Sequence, residues 1–329
     1  MKKIIIAVHG MRNKPDKRVL SRWWKKSIHL GLEAIGRPRP FFRFAMVYWA
    51  NWLYPKPLNP NATDPNDPLY VEFPFIKTDV RTGEKVSRFR HRMLRRFNQL
   101  SEWMFSKKEM SVNLSNITDL ILQRFFNDLH IYYNGTLVDR RGQERPAKEI
   151  IREELAGVLH RHRRKRIMLI GHSMGSIIAY DVLNLSAAHV PIDTLVTMGS
   201  PLGLPAIAGK FLAELKAENP QVEHLTTPEN VRRYWFNLSD LDDQVALNFD
   251  LGDDYAANSR GLYAVDYIVE NTYKYAETSN PHKVYGYLQT PEFAMLVDEF
   301  LRSDQGPLAR WFDRLVISLY RRWKKRNRD

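Results

Sequence analysis

The sequence contains no cysteine, which excludes disulfide frameworks, thiolate metal sites and thiol nucleophiles. It also lacks an apolar run close to the roughly 18 residues that a membrane-spanning helix needs, and its mean hydropathy is −0.44. The first apolar run, Ile4 to Val8, is shorter than the core of a secretory signal, which is about 7 to 15 residues long. These absences predict a cytoplasmic protein whose first element is a strand.

Acidic residues are fewer than basic residues, 37 against 50, and the net charge is +13. The basic residues are concentrated in three patches. Residues 86–108 carry seven basic and one acidic residue, residues 307–329 carry eight and two, and residues 160–166 carry five and none. The patch at 160–166 ends a predicted helix, where cations interact favourably with the helix dipole. The other two patches are candidates for contact with an anionic surface.

The chain has 329 residues, of which 44% are hydrophobic and 26% charged, as is typical of globular proteins. This length suits one large α/β domain with an insertion, or two small domains. Apolar runs alternate with segments of helical periodicity, which predicts an α/β fold with a mostly parallel sheet covered by helices on both faces. The predicted strands cover residues 3–8, 42–49, 166–170, 193–198, 231–238 and 263–269, and the predicted helices cover residues 17–35, 146–164, 174–186, 207–217 and a segment from Thr290 onwards.

A predicted insertion interrupts this alternation. Its first part, residues 55–68, contains five prolines and cannot form regular structure. Further along, the spacing of apolar residues predicts an amphipathic helix over residues 86–105 and a second helix over Ile117–Ile131. We therefore divide the chain into a core of residues 1–51 and 140–303, a helical, lid-like insertion of residues 52–139, and a basic amphipathic tail of residues 304–329.

The motif Gly171-His172-Ser173-Met174-Gly175 lies between a predicted strand and a predicted helix. Glycines on either side of a serine leave room for a sharp turn that raises the hydroxyl above the end of the sheet. The alternative is an inert serine in a glycine-flanked turn. The setting favours Ser173 as a nucleophile.

On this motif and its setting, the chain resembles the α/β-hydrolase superfamily, in particular its lipases and esterases, over residues 1–51 and 140–303. The resemblance implies that the nucleophile is followed along the chain by an acid after a later strand, and then by a histidine near the end of the domain. Both occur in this order. His282, in Ser279-Asn280-Pro281-His282, precedes the last core helix, whereas the other histidines lie in predicted helices or basic runs, or precede the acid.

The acid is expected in the loop after the predicted strand 231–238. A serine hydroxyl needs an imidazole to take its proton, and the imidazole needs a carboxylate to orient it. Asp243, followed by Gln-Val-Ala, is similar to the Asp-Pro-Val-Ala of some intracellular phospholipases of the superfamily, in which this Asp is the acid. Because glutamine replaces the proline, Asp240 and Asp242 stay as alternatives.

The resemblance also implies an oxyanion hole made of two backbone N–H groups. These belong to Met174, which follows the nucleophile, and to Met11, in the loop after the first strand. His9 can line the floor of the site or be a packed structural residue, and packing is the favoured role. The sequence shows no metal-ligand spacing and no phosphate-binding loop, so the mechanism as predicted uses no metal and no cofactor.

The two long basic patches share an amphipathic pattern. In residues 307–329, apolar residues recur at i, i+3 and i+4 over four turns, and residues 86–105 repeat this design inside the insertion. Such helices can lie in the headgroup region of an anionic membrane, and in the lipases that the chain resembles, insertions often form lids. The alternative is that the apolar faces of both helices pack against the protein itself. Nucleic acid is not favoured, because no reader motif is present.

The sequence therefore predicts a serine hydrolase that cleaves carboxylic esters of acyl or lipid-like character through an acyl-enzyme intermediate. Its expected location is the cytoplasm, with peripheral contact at the inner face of the membrane through residues 86–108 and 307–329. Two alternatives stay open. One is an inactive membrane-binding or scaffolding protein of the same fold, and the other is a thioesterase or acyltransferase with the same triad.

Overall fold

Six parallel strands form the central sheet of the computed structural model, which describes residues 2–37, 40–78, 127–246 and 250–303. In chain order the strands are β1 (Lys3–Val8), β2 (Phe44–Val47), β3 (Thr136–Val138), β4 (Glu144–Pro146), β5 (Arg166–His172), β6 (Ile192–Met198), β7 (Val231–Ser239), β8 (Ala264–Ile268), β9 (Lys274–Tyr275) and β10 (Thr278–Ser279). The order in the sheet is β2-β1-β5-β6-β7-β8, and every pair in it is parallel. The remaining strands form two antiparallel hairpins. The mostly parallel sheet predicted from the sequence is confirmed.

Helices cover both faces of this sheet. They are α1 (Lys17–Ala34), α2 (Ala50–Leu53), α3 (Ala147–His162), α4 (Met174–Asp181), α5 (Pro205–Glu218), α6 (Leu251–Asp254), α7 (Val284–Tyr287) and α8 (Pro291–Arg302), and residues 127–134 are also helical. Two long helices begin at side-chain caps. The Asp16 carboxylate accepts two backbone N–H bonds at the start of α1, and the Thr290 hydroxyl accepts one at the start of α8.

Alternate residues of β1 belong to two different hydrophobic cores. Ile4, Ile6 and Val8 pack with apolar residues of α3 and α4 in one core. Ile5 and Ala7 pack with apolar residues of α1 and α8 in the other. This division follows from the two-residue period of a strand, in which successive side chains point to opposite faces. It explains why the strand is one continuous apolar run, as expected for a parallel sheet buried on both faces.

Successive strands are added to the sheet on one side of β1 and then on the other side. Helix α1 connects β1 to β2 on one side, whereas β5 lies on the other side of β1. The loops that leave the carboxyl ends of β1 and β5 therefore diverge at this point. In open parallel sheets, a reversal of this kind is where ligand sites form.

Some observed boundaries and elements differ from the predictions. Strand β2 ends at Val47 rather than at residue 49, because its partner β1 ends at Val8. The predicted helix 174–186 is α-helical only to Asp181 and continues as a π-helical turn to Ser186. The hairpins and the four-residue helices were not predicted, because elements this short carry too little periodicity to be recognised.

Part of the predicted insertion packs on the core. The Tyr273 hydroxyl donates to the carbonyl of Pro74 at 2.6 Å, and Tyr132, in the helical segment 127–134, is fully buried. The predicted helix 86–105, most of the predicted helix 117–131 and the tail from residue 304 lie outside the described residues. The domain division therefore stays a prediction. None of the described helices combines the length and the apolar character that a bilayer crossing requires.

A buried ion pair links α3 to the end of α4. Arg152 Nη2 lies 2.7 Å from Asp181 Oδ1, and Arg152 Nε donates to Asp181 Oδ2 at 2.9 Å. The Tyr132 hydroxyl donates to the same carboxylate. Burial raises the pKa of Asp181, while the charge of Arg152 and the hydrogen bonds act in the opposite direction. The pair therefore compensates a carboxylate that has no exposure to water.

Replacing Arg152 with methionine should destabilise the fold by about 3 kcal/mol at pH 7, because the Asp181 carboxylate then stays buried without its cation. Urea unfolding measures this loss. Because the pKa of Asp181 is already raised, the loss should shrink as the pH falls and the carboxylate becomes protonated. The double variant Arg152→Met/Asp181→Asn should recover much of the stability. A double variant as unstable as the single one would contradict this interpretation.

Candidate active site

Ser173 forms the turn between β5 and α4, with φ 54° and ψ −128°. A positive φ is uncommon for a residue with a side chain and costs on the order of 1 to 3 kcal/mol. Strand β5 ends at His172 and α4 begins at Met174, so a single residue carries the whole change of direction. A sharp strand-to-helix turn at the serine is what a G-x-S-x-G motif predicts.

Gly175, in the first turn of α4, packs against the end of β1. A Cβ atom added to Gly175 would lie 2.3 Å from the carbonyl oxygen of Val8 and 2.8 Å from that of His9. Glycine therefore lets the helix begin directly beside the end of the strand. The same approach brings the serine to the loop after β1, since a Cβ on Gly10 would lie 2.8 Å from the Cβ of Ser173.

The side chain of Ser173 is buried, and its Oγ makes no hydrogen bond to any residue that the structure describes. Backbone groups hold the residue in place. Its N–H donates to the carbonyl of Met198 at 3.1 Å, and its carbonyl accepts bonds from the N–H and the hydroxyl of Ser176, at 2.9 and 2.5 Å. Catalytic hydrogen bonds are often long or misaligned before a substrate binds. The backbone of Ser173 is thus held in place, while its hydroxyl has no partner among the described residues.

His282 and Asp243 are in direct contact. His282 Nδ1 lies 2.9 Å from each carboxylate oxygen of Asp243. The Asp243 side chain is fully buried, whereas 27% of the His282 side chain is exposed. The carboxylate also accepts a bond from the Tyr287 hydroxyl at 2.7 Å and one from the Val245 N–H at 2.9 Å. An imidazole that donates through Nδ1 in this way has Nε2 as its acceptor atom.

Opposing effects act on the acidity of Asp243. Burial acts to raise its pKa, but the charge of His282 and the hydrogen bonds from His282, Tyr287 and Val245 outweigh burial and hold the pKa below its ordinary value. Burial, followed by the charge of Asp243, raises the pKa of the Tyr287 hydroxyl well above its usual range. The carboxylate therefore stays ionised at neutral pH while the tyrosine stays a donor.

The other two candidate acids have different surroundings. The Asp240 carboxylate accepts the N–H groups of Asp242 and Asn271, at 2.8 and 2.5 Å, and burial raises its pKa. Asp242 is exposed. Asp240 therefore organises the turn that contains all three aspartates. Of the three, Asp243 is the one whose contact with the imidazole the structure describes.

Gly199, directly after β6, lies between the serine turn and the histidine–aspartate pair. A Cβ at this position would lie 2.8 Å from Asp243 Oδ2 and 3.1 Å from His282 Nδ1, and its φ is 52°. Met198, the preceding residue, accepts the Ser173 N–H. The turn and the pair therefore meet at the same edge of the sheet, where a side chain at Gly199 would separate them.

Two further histidines, His172 and His9, are buried beside the site. His172 donates to the His282 carbonyl at 2.8 Å, and burial, with the charge of His282, lowers its pKa well below the usual value. His9 stacks on Trp49 with 4.8 Å between ring centroids and donates to the Gly10 carbonyl at 2.8 Å. Burial and the charge of Lys14 lower the pKa of His9 to about 3. Both rings are neutral packed residues, and neither is available as a base.

The predicted oxyanion donors lie on the two segments that meet at Ser173. Met174 is the first residue of α4, so its N–H has no acceptor within the helix. Met11 follows Gly10, which packs against Ser173. The role of these two N–H groups stays a prediction.

The side chains of Lys14 and Asp128 hold the loop that contains Met11. The Lys14 ammonium donates to the carbonyls of Met11, Arg12 and Asn13, the last two at 2.9 and 3.4 Å. Asp128, in the helical segment 127–134, accepts the Arg12 N–H at 2.6 Å. Arg12 has a φ of 67°, a conformation that persists only where its surroundings impose it. The two contacts supply that constraint.

Ser173, His282 and the loop after β1 line one cavity of about 720 Å³. Small-molecule sites have volumes of about 300 to 1,000 Å³. The wall also includes the aromatic side chains of Tyr70, Phe73 and Tyr285. Within the described part of the chain, no group of three or more histidine, aspartate or glutamate side chains could hold a metal ion.

Tyr287, Lys14 and Asp128 are parts of this site that sequence reasoning missed. Tyr287 and Asp128 act on groups 44 and 116 positions away, so neither has a signal in its own neighbourhood. Lys14 acts locally, and its position a few residues after the end of the first strand is the one available signal.

Comparison with known proteins supplies a family. The model of the PGAP1-like alpha/beta domain matches residues 93–280, more than half of the chain. The match includes Ser173 and Asp243 and ends before His282. No curated protein matches the chain. Among solved structures, a bromoperoxidase from Bacillus anthracis aligns over 92% of this chain and 92% of its own, at 10% identity and a TM-score of 0.34.

Replacing Asp243 with asparagine should remove a pH-dependent part of the stability. Because the pKa of Asp243 is lower in the folded chain than its ordinary value of about 3.9, its carboxylate stabilises the fold above that pH. The contribution is lost as the pH falls through the folded-state pKa. The unfolding free energy of Asp243→Asn should therefore fall less steeply than that of the wild type between about pH 5 and pH 2. The exposed substitution Asp242→Asn is the control, and equal slopes for all three proteins would contradict the argument.

Proposed function

The chain belongs to the PGAP1-like alpha/beta domain family, an α/β-hydrolase type of fold, and we propose that it is a serine hydrolase that cleaves carboxylic esters. In this proposal Ser173 is the nucleophile, His282 the general base and Asp243 the acid that orients the base. Family membership supports hydrolase chemistry in general.

One observation carries the proposal. The Ser173 hydroxyl has no hydrogen bond to a described residue, lies in a strained turn, and lines the same cavity as the contact between His282 and Asp243. Backbone strain at a single residue is costly and is typical of functional sites. An inert serine would need neither the strain nor the neighbouring imidazole.

The proposed reaction begins when Ser173 Oγ attacks the carbonyl carbon of the ester and its proton passes to Nε2 of His282. Asp243 holds the Nδ1–H and stabilises the imidazolium. The alcohol then leaves with the proton from His282, and the acyl group stays bonded to Ser173. A water molecule, deprotonated by the same imidazole, attacks the acyl carbon, which releases the carboxylic acid and restores the serine.

The negative charge that develops on the carbonyl oxygen needs donors that are already in position. We assign this role to the N–H groups of Met11 and Met174, and donors of this kind are worth about 2.7 to 4 kcal/mol each in the transition state. Lys14 and Asp128 act as positioning residues, because they hold the loop that carries Met11. The oxyanion site thus depends on a loop fixed from two sides.

We further propose acyl or lipid-like esters as substrates, and a cytoplasmic location at the inner face of a membrane. The support is the sequence pattern of residues 86–108 and 307–329, which is typical of helices that lie among anionic headgroups. Both segments lie outside the described residues. A thioesterase or an acyltransferase would use the same three side chains, and a panel of esters, thioesters and acyl acceptors separates these reactions.

A fluorophosphonate reagent should label the wild-type protein at Ser173 and should not label Ser173→Ala, because the reagent needs an activated hydroxyl. Hydrolysis of a soluble acyl ester should fall by at least about 10³-fold in the variant. Mass spectrometry of the labelled peptide and titration of the released acid are the measurements. If the wild type carries no label, the fold serves a binding or scaffolding role instead.

Matched aspartate variants test the choice of acid. Asp243→Asn should lower kcat by about 10³- to 10⁴-fold, because an amide favours the wrong tautomer of the imidazole. Asp242→Asn removes the same charge at the adjacent, exposed position and should lose less than tenfold. Comparable losses in the two variants would overturn the assignment of Asp243.

Removal of residues 307–329 should weaken binding to vesicles of anionic phospholipid by more than tenfold at low salt. The reason is that eight basic side chains are lost, each worth about 1 kcal/mol near such a surface. Co-sedimentation at increasing salt measures the effect, and vesicles of neutral phospholipid are the control. Binding that is unchanged by the truncation would show that the tail is no membrane contact.

A further inference from the structure

Three cationic side chains line the cavity that contains Ser173 and His282. Arg12 and Lys14 belong to the loop after β1, and Lys283 directly follows His282. Each comes from a segment that also contributes a proposed participant in the reaction. The charges are therefore close to the position where an ester would react. They influence which charge is favourable for the part of the substrate that lies beside the ester.

Lys283 contacts aromatic rings rather than a carboxylate. Its ammonium lies over the rings of Phe73 and Tyr285, at 5.6 and 5.4 Å from the ring centroids. Among the residues that the structure describes, no acceptor bonds to Lys283 Nζ and no carboxylate lies within 4 Å of it. Burial lowers the pKa of Lys283 to about 8, against the opposing charge of Glu72. A half-buried ammonium without a partner favours a ligand that supplies negative charge.

Lys14 adds charge to the cavity rather than a free donor, because its ammonium already binds three carbonyls of its own loop. Burial, and next the charge of Lys283, lower its pKa to about 7, against the opposing charge of Asp128. The two ammonium groups therefore repel each other, and the charge of Arg12 acts on both. An anion bound between them would relieve this repulsion.

The acidic side chains near the cavity bond to other groups or are exposed. Asp243 is engaged by His282, and Asp128 is engaged by the Arg12 N–H and by the Tyr54 hydroxyl. The other acidic side chains on the cavity wall, Glu72 and Asp242, are exposed. Charges of both signs therefore line the cavity, and its three cations, Arg12, Lys14 and Lys283, form no ion pair with the residues that the structure describes.

We propose that Arg12, Lys14 and Lys283 form a subsite for an anionic group, a phosphate or a carboxylate, carried by the ester that reacts at Ser173. This inference rests on the proposed function and names its substrate class. The anionic group lies between the loop after β1 and the Lys283 side chain, and the ester carbonyl points to the Ser173 hydroxyl. The same chemistry is offered by an anionic lipid headgroup and by a soluble phosphorylated ester.

The test compares two soluble esters that differ only in charge, the butyryl ester of glycerol 3-phosphate and the butyryl ester of glycerol. For the wild type, kcat/KM should be at least tenfold higher for the phosphate ester, mostly through KM. In Lys283→Met, which keeps the apolar stem over its two rings, this ratio should fall about tenfold. Lys210→Met is the matched control, because Lys210 also lies over a ring, that of Tyr133, and does not line the cavity.

A second pair of substrates identifies the source of the charge. Vesicles that contain phosphatidic acid are compared with dispersed diacylglycerol in the same proteins. A preference that depends on Lys283 in the lipid pair alone assigns the subsite to a headgroup, and a preference in the soluble pair assigns it to any phosphorylated ester. If neither pair shows a preference, or if Lys283→Met leaves the preference unchanged, the subsite is refuted.

A binding measurement separates the subsite from the reaction. Glycerol 3-phosphate is titrated calorimetrically into Ser173→Ala, and into the same variant with Lys283→Met or Arg12→Met added. Saturable binding that both additions weaken supports the subsite even if no ester is hydrolysed, in which case the proposed function alone fails. Hydrolysis of neutral esters without any binding of glycerol 3-phosphate would refute the subsite and leave the hydrolase intact. Because Arg12 is exposed, its variant stays informative if Lys283→Met does not fold.

Discussion

The close contact between the start of α4 and the end of β1 sets the geometry on which the site depends. Gly175 lies against the carbonyls of Val8 and His9 at distances that leave no space for a side chain. Only one residue, Ser173, therefore lies between the end of β5 and the start of the helix. Ser173 has a positive φ because it has to connect the two elements. Because β1 and β5 are neighbours at the reversal of the sheet, this packing also places the loop after β1 beside the serine.

Buried charge is handled in two ways in this molecule. Asp181 and Asp243 each have a cationic or imidazole partner together with a tyrosine hydroxyl, an arrangement that satisfies the charge within the protein. Lys14 and Lys283 instead repel each other across a cavity. Pairing of the first kind holds elements together, whereas cationic side chains without an ion pair on a cavity wall are typical of a surface that meets a ligand. The distinction separates the structural charges from those of the site.

Much of the fold could be predicted from the sequence, because its determinants are local. Apolar runs identified the strands of the main sheet, and helical spacing identified α1 and α3. The turn at Ser173 was recognisable because the glycines, the serine and the flanking elements lie within a short stretch. The short hairpins and π-helical turn could not be predicted, since they result from packing against other elements and leave almost no periodic pattern.

The local pattern of the chain was enough to indicate the order of strands and helices, the position of the sharp turn, and a small set of acids and one histidine in a workable order. It was not enough to choose among Asp240, Asp242 and Asp243, which lie within four positions and have similar neighbours. Only the folded molecule brings His282 to one of them, and Asp128 to the loop after β1, across 39 and 116 positions of chain. Hydrogen bonds and ion pairs act over a few ångströms. Their partners therefore depend on which loops lie together at the edge of the folded sheet, and not on the distance between residues along the chain.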